Sequence, residues 1–218
     1  TKRQGRKKVD IKRLGHYCLV PNSLLGKGSY AEVFDGFKHS DKMPVAIKVI
    51  SRDKLNDKLL HSLDQEIAIM KKIHHENVIR LFDVHRSKRH IYLVMEKCTG
   101  GDLAKYMNNG HRPLSEAVAR QLLCDLAFGL KVLNDMNLVH RDLKPANLML
   151  SVPCTDTHIS TLKIADFGFA REIRPQDMAE TLCGSPLYMA PEILGGKKYD
   201  SRADLWSVGT IMYEMLFG

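Results

Sequence analysis

The stretch HRDLKPAN, residues 140–147, carries the strongest signal of fold and chemistry in the chain. Asp142 is placed to orient a hydroxyl nucleophile, and Lys144 two residues later is placed to neutralise a transferred phosphoryl group. Asn147 supplies an amide oxygen of the kind that ligates a metal. The alternative interpretation is a charged surface loop, but few unrelated functions need this ordered set of side chains.

A second motif, DFG at residues 166–168, follows the apolar run 162–165, and the tripeptide APE lies downstream at residues 190–192. Asp166 offers a hard carboxylate oxygen suited to magnesium, which bridges phosphates and offsets charge in a transition state. A lone DFG is a common turn tripeptide. Its order and spacing after residues 140–147 favour the metal-binding interpretation.

Two weaker motifs lie near the start of the chain. The segment GKGSYAEV, residues 26–33, is a glycine turn between two apparent strands, where glycines without Cβ atoms let backbone amides approach phosphate oxygens. An ordinary hairpin turn is the alternative. In VAIK, residues 45–48, Lys48 sits in an apolar strand and needs a partner, unless its ammonium group extends to solvent. Glu66 is the obvious counter-ion.

The pattern of apolar residues divides the chain into two parts. Residues 24–34, 43–49, 78–84 and 90–95 read as strands, and the apolar spacing of residues 55–73 predicts one helix that includes Glu66. Helical periodicity dominates afterwards, most clearly over residues 115–136. We therefore expect a hinge at about 96–101, and a loop over residues 151–161 that joins two short apolar runs.

The composition indicates a globular chain, with 44% hydrophobic and 27% charged residues. The net charge of +8 comes largely from residues 1–13, for which a solvated or loosely docked tail is the favoured interpretation, with a peptide, lipid or nucleic-acid contact as the alternative. The five cysteines lack paired metal-site spacing and predict reduced thiols. Because no stretch resembles a membrane span or signal peptide, we expect a cytoplasmic protein.

Taken together, residues 25–218 resemble the eukaryotic protein kinase family. The resemblance implies an α+β bilobal kinase fold over residues 14–218, preceded by the basic segment 1–13. It implies a small β-rich N-lobe with one key helix at about 14–95, the hinge at about 96–101, and a larger helical C-lobe over residues 102–218. The family domain continues through further helices, so this C-lobe is expected to be truncated.

The resemblance also implies roles for individual residues. Asp142 is the catalytic base assisted by Lys144, Lys48 pairs with Glu66, and Asn147 and Asp166 hold Mg²⁺. Phosphorylation of Thr181 is expected to activate the enzyme. His140 matches a core position and is not a base. The residues expected to bind ATP are Leu25, Gly26, Lys27, Gly28, Ser29, Val33, Ala46, Lys48, Met95, Glu96, Cys98, Asp102 and Met149.

The expected activity is ATP- and Mg²⁺-dependent phosphorylation of serine and threonine hydroxyls in protein substrates. Residues 164–171 and 181–192, with the alanine at position 31 and the enlarged loop 151–161, resemble the autophagy-initiating, uncoordinated-like kinases. The alternatives are a calmodulin-kinase-like enzyme of another branch, a kinase-fold binding module impaired by truncation, and a nucleic-acid or membrane binder acting through residues 1–13. The resemblance implies a monomeric domain with regulatory subunits or scaffold proteins as partners, without specific nucleic acid, and leaves peripheral membrane association open.

Overall fold

The computed structural model describes residues 11–28, 31–110, 112–155, 157–168, 170–172 and 184–218. The chain divides into two compact units. The first contains residues up to 61 together with 81–97, and the second contains residues 62–80 and 98–218. Of the described residues, none belongs to a helix both long enough and apolar enough to cross a membrane.

The first unit is built on one six-stranded antiparallel sheet. Its strands in chain order are β1 (Lys12–Leu14), β2 (Tyr17–Lys27), β3 (Ala31–Lys38), β4 (Pro44–Ser51), β5 (Leu81–Arg86) and β6 (His90–Glu96). Their order across the sheet is β1-β2-β3-β4-β6-β5. The predicted strands at 43–49 and 90–95 are confirmed within two residues at each end, and the predicted glycine hairpin is confirmed with strands that extend beyond residues 24–34, to Tyr17 and Lys38.

Side-chain alternation along β4 determines which face of this sheet is buried. Val45 and Ile47 are completely buried, whereas Ala46 and Lys48, on the opposite face, are partly exposed. Gly36 of β3 lies on the packed face, where a Cβ atom would come within 2.7 Å of the Cys18 carbonyl oxygen. The core of this unit is formed by Leu14, Tyr17, Leu19, Val45, Ile47, Tyr92 and Val94.

Helix α1 (Asp57–Lys72) begins in the first unit and continues in the second. The second unit also contains the helices α2 (Leu103–Asn108), α3 (Glu116–Asp135), α4 (Pro191–Leu194) and α5 (Arg202–Phe217). Two short antiparallel pairs join β8 (Leu148–Leu150) to β9 (Leu162–Ile164), and β7 (Leu138–Val139) to β10 (Arg171–Glu172). The predicted loop 151–161 therefore connects the strands of a hairpin.

Helix α3 is the central packing element among the helices of the second unit. Ser115 caps its N-terminus by accepting a hydrogen bond from the Val118 backbone N–H. Its buried residues recur at helical spacing, and Gly129 allows a close approach, since a Cβ there would lie 2.8 Å from the Asn77 carbonyl oxygen. The predicted helix at 115–136 is confirmed.

Two predictions about the first ninety residues need correction. The strand predicted from residue 78 begins at Leu81, because Val78 instead forms an isolated parallel bridge with Ile164 in the second unit. Residues assigned to a basic tail include Lys12 and Arg13, which lie in β1 and pair with β2. The Lys12 ammonium group also stands 4.7 Å from the centre of the Tyr92 ring, a cation–π contact.

Candidate active site

The Asp142 carboxylate is the centre of a hydrogen-bonded cluster in the second unit. Its Oδ2 accepts bonds from Lys144 Nζ at 2.8 Å and from Asn147 Nδ2 at 3.0 Å. Its Oδ1 accepts a bond of 2.8 Å from the Ser185 hydroxyl. Only 5% of Asp142 is exposed, so these donors stabilise a carboxylate that burial alone would disfavour.

Lys144 and Ser185 complete this cluster. The Lys144 ammonium group donates a second bond, 2.7 Å long, to Ser185 Oγ, so the hydroxyl receives one hydrogen bond and donates one. The side chain of Lys144 remains about a quarter exposed and can reach a ligand. The structure thus brings Asp142 and Lys144 together, and it confirms the contact with residues 140–147 that the family resemblance implies for Ser185, which donates directly to the proposed base.

Asn147 lies at the end of a short 3₁₀ turn that begins at Pro145. Its amide nitrogen donates to both the backbone oxygen and the carboxylate of Asp142, at 2.8 and 3.0 Å. Both bonds use the nitrogen, so the amide oxygen is the atom that would face a metal. The Asn147 backbone oxygen accepts from the Ala165 N–H at 2.9 Å, which ties this turn to the residue before Asp166.

Asp166 follows β9 in a left-handed backbone conformation with φ of 63°. Non-glycine residues rarely adopt this conformation, and such strain concentrates at functional sites. The next residue, Phe167, is 1% exposed and packs edge-to-face on His140, with ring centres 5.2 Å apart. A Cβ at Gly168 would lie 3.5 Å from Asp166 Oδ1 and 3.8 Å from Glu66 Oε2, so both carboxylates lie close to the DFG backbone.

The donor set fits a magnesium ion. Asn147 and Asp166 offer an amide and a carboxylate oxygen, and Mg²⁺ takes one or two protein oxygens together with substrate phosphates and water. In the described part of the chain there is no cluster of three or more His, Cys, Asp or Glu side chains that would hold a metal by themselves. Such a site depends on phosphate oxygens from the ligand.

A buried carboxylate on α5 binds the backbone of residues 140–147, the catalytic loop. Asp204 accepts hydrogen bonds from the backbone N–H groups of His140 and Arg141, at 2.8 and 2.9 Å. Burial raises the pKa of Asp204, and the nearby His140 and these two N–H groups oppose that rise. Arg141 has φ of 69°, so the anchor fixes a strained turn immediately before Asp142. His140 is itself fully buried, which confirms its predicted core position.

The sequence did not reveal two supports of this loop, Asp204 and Gly184. Gly184 has φ of 109°, and a Cβ there would lie 2.3 Å from the Arg141 carbonyl oxygen, so only glycine fits against the loop. The available signals were a lone aspartate within an apolar helix and a glycine directly before Ser185. Neither signal identifies its partner without the fold.

In the first unit, four of the residues expected to bind nucleotide lie on the adjacent strands β3, β4 and β6. Lys48 pairs directly with Val33, and Ala46 pairs directly with Met95. Directly paired residues share a face of a sheet, and Ala46 and Lys48 share one by alternation along β4. The four side chains therefore line one face, opposite the buried Val45 and Ile47.

The glycine loop is closed by a 2.8 Å hydrogen bond from the Gly28 N–H to the Ala31 carbonyl oxygen. A Cβ added at Gly26 would meet no described atom within 4 Å, so packing inside the chain does not require glycine there. Leu25 and Lys27 are both exposed, and Lys27 forms a surface ion pair with Glu32 at 3.0 Å.

Three expected nucleotide contacts belong to the second unit. Asp102 forms an isolated bridge with Met149 and caps α2, because its Oδ1 accepts from the Lys105 N–H at 2.8 Å. Its Oδ2 pairs with the Lys105 ammonium group at 2.9 Å. Cys98 is partly exposed and, like Cys18, Cys124 and Cys154, is a cysteine outside any disulfide among the described residues.

The roles expected for the other site residues remain predictions. Lys48 and Glu96 lie in the first unit, and Glu66 lies in the second. The pairing of Lys48 with Glu66 therefore stays a prediction. Ser29 and Thr181 lie outside the described residues. Glu66 is 7% exposed, on the inner face of α1.

Comparison with known proteins identifies relatives across most of the chain. The family model described as "Protein kinase domain" matches residues 19–218. Serine/threonine-protein kinase ATG1c of Arabidopsis thaliana is 50% identical over 194 residues, which cover 89% of this chain and 26% of the relative. Serine/threonine-protein kinase ATG1b of the same organism is 50% identical over 94% of this chain and 28% of the relative.

A relative from a second organism is similar to this chain to nearly the same extent. Serine/threonine-protein kinase atg1 of Dictyostelium discoideum is 47% identical over 214 residues, covering 95% of this chain and 31% of the relative. The chain thus spans about a quarter to a third of the length of the curated relatives that it matches.

Proposed function

The chain belongs to the protein kinase family, and from this premise we propose that it transfers the γ-phosphoryl group of ATP to serine and threonine hydroxyls of proteins. The observation that carries the proposal is the bonding of Asp142. Lys144, Asn147 and Ser185 all donate to its carboxylate, which holds the carboxylate in one orientation.

This arrangement supports two steps of phosphoryl transfer. Asp142 orients the acceptor hydroxyl and takes its proton, since a carboxylate fixed by three donors is pre-organised for that role. Lys144, bonded to the same carboxylate, has an ammonium group next to the attacking oxygen and stabilises negative charge that develops on the transferred group. Lys144 supports the serine/threonine assignment that the sequence resemblance implies.

Members of this family generally use ATP and a divalent metal. We propose Mg²⁺ held by Asn147 and Asp166, and a nucleotide bound by the glycine loop and by the face of β3, β4 and β6 that carries Val33, Ala46 and Lys48. Held by Asn147 and Asp166, the metal would supply positive charge that offsets the negative charge of the phosphates. Asn147 contributes by keeping its amide oxygen in position through its two bonds to Asp142.

Relatives named ATG1 support assignment to the autophagy-initiating branch. On this basis we propose protein substrates, regulatory or scaffold partners, and a cytoplasmic location with recruitment to membranes.

The test is a transfer assay with Mg²⁺, radiolabelled ATP and a generic serine/threonine peptide. Asp166→Asn should remove at least about 99% of turnover, because it withdraws charge from the metal without changing core volume. Asp135→Asn is the matched control, since Asp135 forms a 2.6 Å surface ion pair with Lys131 on the outside of α3. Equal activity of wild type and Asp166→Asn, or no turnover by the folded wild type, would refute the proposal.

A further inference from the structure

A second polar cluster lies in the first unit, at the end of β6. The Lys97 ammonium group is 2.7 Å from Asp35 Oδ1, and the Ser23 hydroxyl donates to Asp35 Oδ2 at 3.4 Å. The Lys97 and Asp35 side chains are only 20% and 29% exposed. The three residues come from β2, β3 and the position directly after β6, so they are distant in sequence and the sheet alone brings them together.

The position of Asp35 relates this cluster to the nucleotide face. Asp35 pairs directly with Ala46, and Ala46 pairs directly with Met95. Asp35 also lies two residues beyond Val33 on β3, so it shares the face that carries Val33, Ala46 and Lys48. The carboxylate therefore stands at the edge of the surface proposed to receive the nucleotide.

The side chain of Lys97 extends across this surface from the end of β6 to β3. Strand β4 separates β3 from β6, and strands are about 4.8 Å apart, so the flanking backbones are about 10 Å apart. The side chain of Lys97 crosses that distance to reach Asp35. Lys97 follows Glu96, the last residue of β6, so the ion pair fixes the first residue of the segment that leaves the sheet.

We propose that the Asp35–Lys97 ion pair is a positioning element for nucleotide binding. It holds the backbone at the end of β6 against β3, so that the N–H and C=O groups at positions 96 and 97 are already oriented for the adenine edge. Fixing a binding segment in advance lowers the entropy cost of association. The inference rests on the proposed function, and it assigns Asp35 and Lys97 no contact with the reacting atoms.

The ion pair should therefore change ATP affinity rather than the chemical step. Asp35→Asn and Lys97→Met should each raise the KM for ATP about fivefold, the effect of one partly buried ion pair, and leave kcat within twofold. The charge-swapped variant Asp35→Lys/Lys97→Asp should return KM to within twofold of wild type. The matched control is Lys38→Met in the same sheet, because Lys38 pairs with Asp41 at 3.5 Å at a more exposed position.

Direct titration with ATP by calorimetry, in parallel with turnover, separates this inference from the proposed function. Wild type that binds ATP without transferring phosphate would refute the proposed function, and the variants' dissociation constants would still test the ion pair. Unchanged ATP affinity in Asp35→Asn and Lys97→Met would overturn the inference. It would also be overturned if kcat fell at constant KM, if the swap gave no rescue, or if Lys38→Met had the same effect.

Discussion

The Ser185 hydroxyl donates a 2.8 Å hydrogen bond to the carboxylate of Asp142, although 43 residues separate them. The same hydroxyl accepts from Lys144 at 2.7 Å. The segment before the APE motif is thereby bonded directly to the proposed base, Asp142, and to its neighbour Lys144. Ser185 is thus a positioning residue for both charged groups.

We expect Ser185→Ala to lower kcat about tenfold while the melting temperature stays within about 2 °C, because one hydrogen bond is lost next to a retained charge pair. Ser185→Thr keeps the hydroxyl and should retain most of the activity. Steady-state kinetics with the peptide substrate make the comparison. A Ser185→Ala enzyme with unchanged kcat would show that the hydroxyl does not position Asp142.

Gly184 provides a test of the close packing beside that serine. A Cβ there would meet the Arg141 carbonyl oxygen at 2.3 Å, and its φ of 109° disfavours any side chain. Gly184→Ala should cost about 3 kcal/mol or more of unfolding free energy and reduce turnover, since the loop carrying Asp142 must shift.

Gly196→Ala is the matched control for that substitution. Gly196 also has a positive φ, of 65°, but a Cβ there meets no described atom within 4 Å. Gly196→Ala should lower the free energy of unfolding by only about 1 kcal/mol, from backbone strain alone, and should not reduce turnover. Chemical denaturation of both variants measures the difference, and equal losses would contradict the steric explanation.

Tyr188 gives a prediction about alkaline pH. Its hydroxyl donates to Glu214 Oε2 at 2.8 Å, and Glu214 also pairs with Arg112. Burial, and then the bond to Glu214, raise the pKa of Tyr188 well above its ordinary value of 10.0. The folded state keeps its proton where the unfolded state loses it, so this stabilisation is complete below pH 10 and declines as pH rises further.

Tyr188→Phe should therefore lose about 1 kcal/mol of stability at neutral pH, and its deficit relative to wild type should shrink above pH 10. Chemical denaturation of the two proteins from pH 7 to 11 measures the difference between their free energies of unfolding. The other tyrosines are present in both proteins, so their titration cancels in this difference. A deficit that stays constant or grows across this range would show that the hydroxyl is not protected by folding.

The sequence predicted the elements that have a clear local pattern. The helices at residues 57–72 and 116–135 and the hairpin around residues 151–161 have strong periodicity or turn signals and were predicted within a few residues. The glycine hairpin was also predicted, but its strands extend seven residues earlier and four residues later than expected, to Tyr17 and Lys38. Strand β1 has three residues and escaped notice, because a segment that short carries no period. Val78 was placed in the wrong element, since an apolar residue does not identify its strand partner.

The residues of the candidate site also differ in how well the sequence alone predicted them. Asp142, Lys144 and Asn147 lie within six residues, so their motif could be read directly, and the structure brings them together. Asp204 and Lys97 act on residues more than sixty positions away, and their charges look like ordinary surface charges until the fold pairs them. Long-range polar contacts of this kind depend on tertiary packing and leave little local signal.

The last prediction concerns activation through Thr181, which lies outside the described residues. Its place between the DFG and APE motifs matches the activation-loop position of the family. A phosphate with a charge of about −1.5 to −2 forms strong hydrogen bonds with arginine. Arg141, directly before Asp142, is one proposed partner. Its guanidinium also donates to the Tyr199 hydroxyl at 3.3 Å, which holds the side chain beside the catalytic loop.

We expect Thr181→Ala and Arg141→Ala each to lower kcat/KM about tenfold, since each would remove one half of the same charge-assisted contact. The double variant should lose little more than either single one, because coupled residues give non-additive effects. Tyr199→Phe, which keeps the arginine and removes only its hydroxyl contact, is the control for a purely structural effect of Arg141. Steady-state kinetics compare the four variants with wild type after the same activating treatment, which phosphorylates Thr181 in the proteins that retain it. Full activity of Thr181→Ala, or losses that simply add in the double variant, would exclude a phosphate contact that holds the loop against Arg141.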